Sequence, residues 1–357
     1  MTNRENFLSL LRKEGYEWVP VEFALCPHLQ ELIRKQIGTS DYAKYFKFPW
    51  ANIEDIRLVD HDTNKYRPYF NPPLAENGFI DPWGVGHEPS ENSMHMTYMR
   101  HPLENMETLE ELKSYPFPDF ANGYKDHQRL QVEEAKKNDL IALGNMQITL
   151  WEISWYLRSM EELFCDMMEE NEIAEFIFDK ALEMAKIRAE SFVKAGVDAL
   201  YFGDDIGMQN TIMMSKDLYC RWLKPRLKEL IDHAKSMNPE VIIFYHSCGY
   251  IEPLIPHLIE AGIDVLNPIQ SECMDFEVIC QKYGDKVAFH GTIGTQTVMP
   301  HGTPQEVKET VWRNLDIAGE RGGLLVAPTH MLEPEVPVEN VLAYVEACQE
   351  YKKKKLE

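Results

Sequence analysis

A chain of 357 residues with 58 acidic against 36 basic side chains has a formal charge of -22. On average it repels a nucleic-acid backbone or an anionic membrane surface, which leaves small molecules and other proteins as partners. The opening MTNRENFLSLLRKEGYEWVP has no apolar core with a cleavage site, no later run approaches about 18 apolar residues without charge, and seven scattered cysteines do not form a secreted disulfide framework; a reduced, cytoplasmic protein is expected.

In chain order, a first helix is followed by a candidate strand, EWVPVEF (17–23). Residues 24–136 are rich in Pro, Asn, aromatics and charge, with weak periodicity and frequent turn signals. They are expected to form an irregular elaboration with small strands that covers the mouth of the main body. From 137 to 357 one theme repeats. LIALGNM (140–146), VDALYFGDD (197–205), VIIFYHS (241–247), IDVLNP (263–268), KVAFHG (286–291) and GLLVAP (323–328) are apolar runs of strand length. Helical patterns lie between them, as in 172–196, where apolar residues recur near i, i+3, i+4 and i+7. Alternation of this kind builds βαβ units on a parallel sheet. Six to eight units, with no G-x-G-x-x-G after any strand, predict a single-domain (β/α)8 TIM barrel over 1–357 in preference to an open doubly wound sheet.

Barrel enzymes place their chemistry at the carboxyl ends of the strands. Those ends carry Asn145-Met146-Gln147, Asp204-Asp205, His246-Ser247-Cys248, Asn267-Pro268, His290-Gly291 and Thr329-His330. Singly, each reads as well as a satisfied polar group or a small buried thiol, His290 above all. As a set they point to a metal. His246 and Cys248 stand at i and i+2 on a strand end, so both side chains can face one side, and His330 ends the last readable strand. Three ligands with a fourth position open describe a catalytic Zn²⁺ site rather than a structural one, and the chain has no Cys-x-x-Cys pair. Asp204 and Asp205 are candidates to orient a ligand or protonate a leaving group, or else they cap a following helix. Glu152 lies between Trp151 and Trp155, which either wall a pocket or face the core. Tyr201 and Phe202 are candidates to shield the site from water.

The blocks HSCGYIEPLIPHLIEAGIDVLNPIQ, GTIGTQTVMPHGTPQEVKETV and GGLLVAPTHMLEPEVPVENVLAYVEA resemble, in order and spacing, the uroporphyrinogen decarboxylase superfamily and its corrinoid-dependent methyltransferase branch. The resemblance runs from about residue 140 to the C-terminus. It implies zinc bound through a His-x-Cys pair, matched by His246 and Cys248, and a late Cys, whose place is taken by His330 in Ala327-Pro328-Thr329-His330. Replacing a thiolate by imidazole takes such a centre from formal charge zero to +1, which favours polarising a leaving oxygen over activating a thiolate. The expected activity is therefore transfer of methyl from a small methylated donor, methoxy or similar, to the Co(I) of a separate corrinoid protein, with Asp204 or Asp205, then Glu152, as the carboxyl that assists departure. A methylcobamide:coenzyme M-type reaction is the alternative. A decarboxylase acting on a porphyrinogen is disfavoured, because PVEFALCPHLQELI holds no arginine where that group has M-R-Q-A-G-R. A non-catalytic zinc- or ligand-binding barrel is the remaining reading. The superfamily often dimerises, so a homodimer is compatible with the resemblance.

Overall fold

A computed structural model describes residues 1–90 and 97–354. Its strands are β1 (Trp50–Ile53), β2 (Phe79–Ile80), β3 (Gly86–Pro89), β4 (Thr97–Arg100), β5 (Ile141–Gln147), β6 (Ala199–Gly203), β7 (Ile242–His246), β8 (Val265–Asn267), β9 (Ala288–His290) and β10 (Leu324–Leu325). Seven of them form one parallel sheet in the order β1-β5-β6-β7-β8-β9-β10, with helices between successive strands from β5 onward. Residues of β6, β8, β9 and β10 are buried along their whole length, as parallel strands covered on both faces require.

The sheet curls on itself. Trp50 of β1 and His290 of β9 lie toward opposite ends of the strand order, yet their rings are 5.5 Å apart, and Phe244 of β7 meets both at 6.2 and 5.9 Å. Side chains from separated strands that meet in one layer are the packed interior of an α/β barrel. The six runs expected as strands between 140 and 328 each coincide with one, β5 running one residue further to Gln147, and the helix expected over 172–196 spans Glu172–Ala195, capped by the Asn171 side chain and by Gly196 in the left-handed region.

Two N-terminal features differ from expectation. The run 17–23 pairs in no ladder: it is extended, with Val19, Val21 and Phe23 buried, and its neighbour Leu25 makes a single bridge to Leu332. Pro20 removes a donor, and the Tyr344 hydroxyl, bonded to the Glu22 carbonyl at 3.0 Å and the Val326 carbonyl at 3.0 Å, takes the place of a strand partner. Phe23 packs on Phe48, just ahead of β1, at 5.0 Å. This segment thus fills the seam between the two ends of the sheet. The first barrel strand, β1, lies inside the stretch 24–136, paired with β5 in the register Trp50↔Ile141.

The rest of that stretch, of which 91–96 fall outside the described residues, includes the antiparallel sheet β2-β3-β4. It is fastened to the helix Trp151–Arg158. Buried Arg158 donates to the carbonyls of Leu103 (2.6 Å) and Met106 (2.7 Å) and pairs with Asp166 at 2.9 Å, while the Leu103 amide donates to the Leu157 carbonyl at 2.9 Å. The pair is 5% and 7% exposed, so truncating the arginine would leave the Asp166 carboxylate buried without its cation, held only by Asn171, and would strip the Met106 carbonyl of its donor. Arg158→Met is expected to destabilise the fold by about 3–5 kcal/mol, read by denaturant unfolding, and to open the chain near 101–106 to proteolysis.

Candidate metal centre

β7 ends on His246, and the chain turns at Ser247-Cys248-Gly249 against the end of β6. The approach is close. Gly249 has φ 83, and a Cβ there would lie 2.7 Å from the Met208 carbonyl oxygen. A glycine is required to let the Cys248 turn nest against Gly207-Met208. The buried Ser247 hydroxyl accepts from the Ile206 amide at 3.0 Å and ties the two strand ends together.

Asp205 then joins the histidine and cysteine. Its Oδ1 accepts the Cys248 amide at 2.7 Å and stands 3.5 Å from His246 Nε2, which is itself 3.5 Å from Cys248 Sγ. The donor atoms of Asp205, His246 and Cys248 all lie within 4.8 Å of one another. Tetrahedral zinc with bonds of about 2.0–2.3 Å sets its ligands roughly 3.3–3.8 Å apart, so the spacing and the N, O, S donor set fit that ion. Electrostatics agree. Burial, then the Asp205 and Glu152 carboxyls, push the Cys248 thiol well above its ordinary range, and burial lowers His246 despite Asp205. A divalent cation supplies the charge that such a thiolate needs.

Asp204 is 2% exposed and accepts the amides of Thr149 (3.3 Å), Leu150 (3.0 Å) and Glu152 (2.9 Å). Leu150, the N-cap of the helix Trp151–Arg158, has no side chain that can cap. Asp204 on the neighbouring strand end caps it instead. The preceding Ile148 is held at φ 68, a strained state for a β-branched residue. Asp204 is raised to about 7 by burial, against which the amides pull it down.

Capping aims Glu152 at the cluster. Burial first, then the charges of Asp204 and Asp205, raise Glu152 to about 8, although Tyr156 donates to its Oε1 at 2.8 Å. It holds a proton near neutral pH. The carboxyl suited to proton donation is thus Glu152, while Asp204 is committed to the helix and Asp205 to the donor cluster. Trp151 is fully buried against Phe164 at 5.0 Å, in the core rather than on a pocket wall. Tyr201 faces the barrel interior, its ring 5.5 Å from Phe244, and Phe202, next along β6, is fully buried.

His330 is exposed and falls outside the group of three. It lines, with Cys248, Gln270, Thr295 and Thr329, a cavity of about 360 Å³ over the strand ends. Sequence reasoning gave no role to Gln270, whose Oε1 accepts the Gly249 amide at 2.8 Å, or to Tyr156. Nothing local marks either residue.

Fold and site together define an α/β barrel with a His/Cys/Asp donor cluster and a neutral buried carboxyl at the carboxyl ends of its strands. The family model for uroporphyrinogen decarboxylase (URO-D) matches residues 84–351, and the chain belongs to that family. It is 27% identical over 165 residues to the methylated-thiol–coenzyme M methyltransferase of Methanosarcina mazei, covering 43% of this chain and 38% of that one. To the methylcobamide:CoM methyltransferase MtaA of Methanosarcina barkeri it is 24% identical over 222 residues, 62% of this chain and 61% of that one. The matches thus span less than two thirds of either relative. A solved methyltransferase from Methanosarcina mazei superposes with a TM-score of 0.70 at 18% identity, over 98% of this chain and 99% of that one, which establishes the shared fold.

The raised Glu152 carries a pH signature. Because it holds its proton more firmly folded than unfolded, its effect is absent below its usual 4.5 and costs stability as pH rises from 4.5 through about 8. Glu152→Gln is expected to leave the melting temperature of metal-free protein unchanged at about pH 4 and to gain about 1–3 kcal/mol over wild type by about pH 9, discounted from the full shift because Asp204 titrates alongside.

Proposed function

We propose that this chain is a corrinoid-dependent methyltransferase that takes a methyl group from a small methoxy-type donor and passes it to reduced cobalt on a separate corrinoid protein. The observation that carries this direction is Glu152, a carboxyl kept protonated by burial and by two neighbouring aspartates beside the donor cluster. A departing oxygen or nitrogen needs a proton, whereas a thiol acceptor must lose one.

The proposed zinc ligands are His246, Cys248 and Asp205, with His330 as a further donor at the position of the family's late cysteine. When bound, zinc supplies Lewis acidity that lowers the charge developing on the donor heteroatom. The chain's own residues do the rest. Asp204 holds the start of the helix Trp151–Arg158, which fixes Glu152 against the cluster. Glu152 protonates the leaving heteroatom, and Tyr156 keeps its carboxyl from rotating away. The cavity over the strand ends admits the donor and, from the open side, the corrinoid, so the methyl carbon lies between leaving atom and cobalt. With Cys248 and Asp205 both anionic the zinc set sums to zero whether or not neutral His330 joins it, so the His-for-Cys exchange does not by itself set the direction. A coenzyme M-type reaction is the second reading, supported by the two methanogen relatives.

Two measurements follow. Protein prepared with zinc should hold about one ion per chain; Asp205→Asn should weaken it by about 10–100-fold and His330→Ala by less than about tenfold, with metal analysis and chelator competition as readouts. The reverse order would make His330 the third ligand. Mixed with reduced corrinoid protein and a panel of methoxylated donors, wild type should alter the corrinoid absorption spectrum, Cys248→Ala should not, and Glu152→Gln should slow the change by about 10²–10⁴-fold. Silence with every donor, together with methylation of coenzyme M from methylated corrinoid, would establish the second reading.

A further inference from the structure

Beyond the donor cluster, His246 is the first member of a hydrogen-bonded chain that crosses the barrel interior and ends at the seam. His246 Nδ1 lies 2.6 Å from Asn267 Oδ1, which also accepts the Tyr201 hydroxyl at 2.6 Å. Asn267 Nδ2 lies 2.9 Å from His290 Nδ1 and 3.0 Å from the His290 carbonyl oxygen. His290 Nε2 lies 2.9 Å from Glu22 Oε1. Asn267 and His290 are 4% and 3% exposed, so water does not compete for these positions.

One member decides the direction of all the others. The backbone carbonyl of His290 can only accept, so the Asn267 group facing it must be the amide nitrogen. Asn267 Oδ1 therefore faces His246, whose Nδ1 must carry the hydrogen, and Nε2 is left with its lone pair toward Asp205 and Cys248. The second hydrogen of the Asn267 amide falls to His290 Nδ1, which must accept. His290 Nε2 then carries the hydrogen and donates it to Glu22. Every donor has an acceptor, and no other assignment satisfies that carbonyl. The ring of His290 cannot turn to break the series. Trp50, Tyr201 and Phe244 stand edge-on to it at 5.5, 6.2 and 5.9 Å.

The geometry points to Asn267, His290 and Glu22 as positioning residues that present His246 Nε2 to a metal in its lone-pair tautomer, with Glu22 on the seam segment as the terminal acceptor. This rests on the reading of His246 as a ligand. A metal-bound histidine whose other ring nitrogen donates to a fixed oxygen is both oriented and a better donor. Here the fixed oxygen is an amide whose orientation is set by a backbone carbonyl, and a carboxylate two bonds further along polarises the series. The extended segment that replaces an eighth ladder strand is thereby tied to the strength of the site.

The test uses the metal-free full-length protein with ¹⁵N-labelled histidine, and His246→Gln to assign the resonance. Wild type is expected to show His246 protonated at Nδ1 alone at about pH 8, and Asn267→Leu a mixture of tautomers with zinc binding weakened about 10–100-fold in chelator competition. Glu22→Leu should weaken zinc, and Glu22→Gln, whose amide oxygen still accepts from His290, should recover part of the loss; this pair carries the test if Asn267→Leu fails to fold. A wild-type His246 protonated at Nε2, or zinc binding in both Leu variants within about twofold of wild type, would overturn the relay. Should wild type take up no zinc at all, the proposed function fails, while the tautomer spectrum still decides whether the relay exists.

Discussion

A buried carboxylate that caps a helix it does not belong to is the constraint on which the site depends. Asp204 sits at the end of β6 but accepts the amides that open the helix after β5. The helix begins on Leu150, which offers no acceptor, so its orphan amides would otherwise lie buried and unpaired, at about 1–3 kcal/mol each. Asp204 satisfies them and locks together two adjacent βα connections, at the cost of an ionised group withdrawn from water. From that lock follow the direction of Glu152, in the first turn of the helix, and the position of Asp205, the residue after Asp204, against the Cys248 amide. Removing the carboxylate would release Glu152 and Asp205 together, although Asp204 itself is not a member of the donor cluster.

Strain at Ile148 belongs to the same arrangement. A β-branched residue at φ 68 costs on the order of 1–3 kcal/mol. It is held there because its own amide and that of Thr149 both donate to the Gly203 carbonyl at 3.1 Å, which brings the turn after β5 down onto the end of β6. Both strand ends are thus fixed from each side. A site assembled in this way is rigid before any ligand arrives, as positioning chemistry requires.

What the sequence disclosed follows the range of the forces involved. Parallel strands buried on both faces are unbroken apolar runs, so β5 through β10 could be read directly, as could the long helix with its Asn171 and Gly196 caps. β1 could not: Trp50-Ala51-Asn52-Ile53 is short, carries an asparagine and follows a proline, and only pairing with β5 makes it a strand. The run 17–23 showed the opposite error, because its composition is that of a strand while Pro20 and the distant Tyr344 deny it a ladder. At the site, His246 and Cys248 were legible from an i, i+2 spacing on one strand. Asp205 as their companion was legible only as one acidic alternative to His330, beside Asp204 and Glu333, since its approach depends on the fit of Gly207 against Gly249. Asn267 and Glu22 were less legible still, being joined to His246 only through contacts between residues far apart in the chain.

The charge of the site is what separates its two chemical readings. With Asp205, Cys248 and Glu152 crowded together, at least one must be neutral or a cation must enter, and burial with the neighbouring carboxyls raises both the Cys248 thiol and Glu152, so that without a metal both keep their protons. Zinc would change the balance unequally. It compensates Asp205 and Cys248 as ligands, while Glu152, outside the cluster, still faces Asp204 and a buried environment. A centre whose ligands are neutralised by the ion and whose neighbour remains an acid can give a proton to a departing atom. A centre that had to take a proton from an incoming thiol would need a base in that place, whereas burial and the two aspartates make Glu152 a carboxyl that resists ionising, even with the Tyr156 hydroxyl pulling the other way.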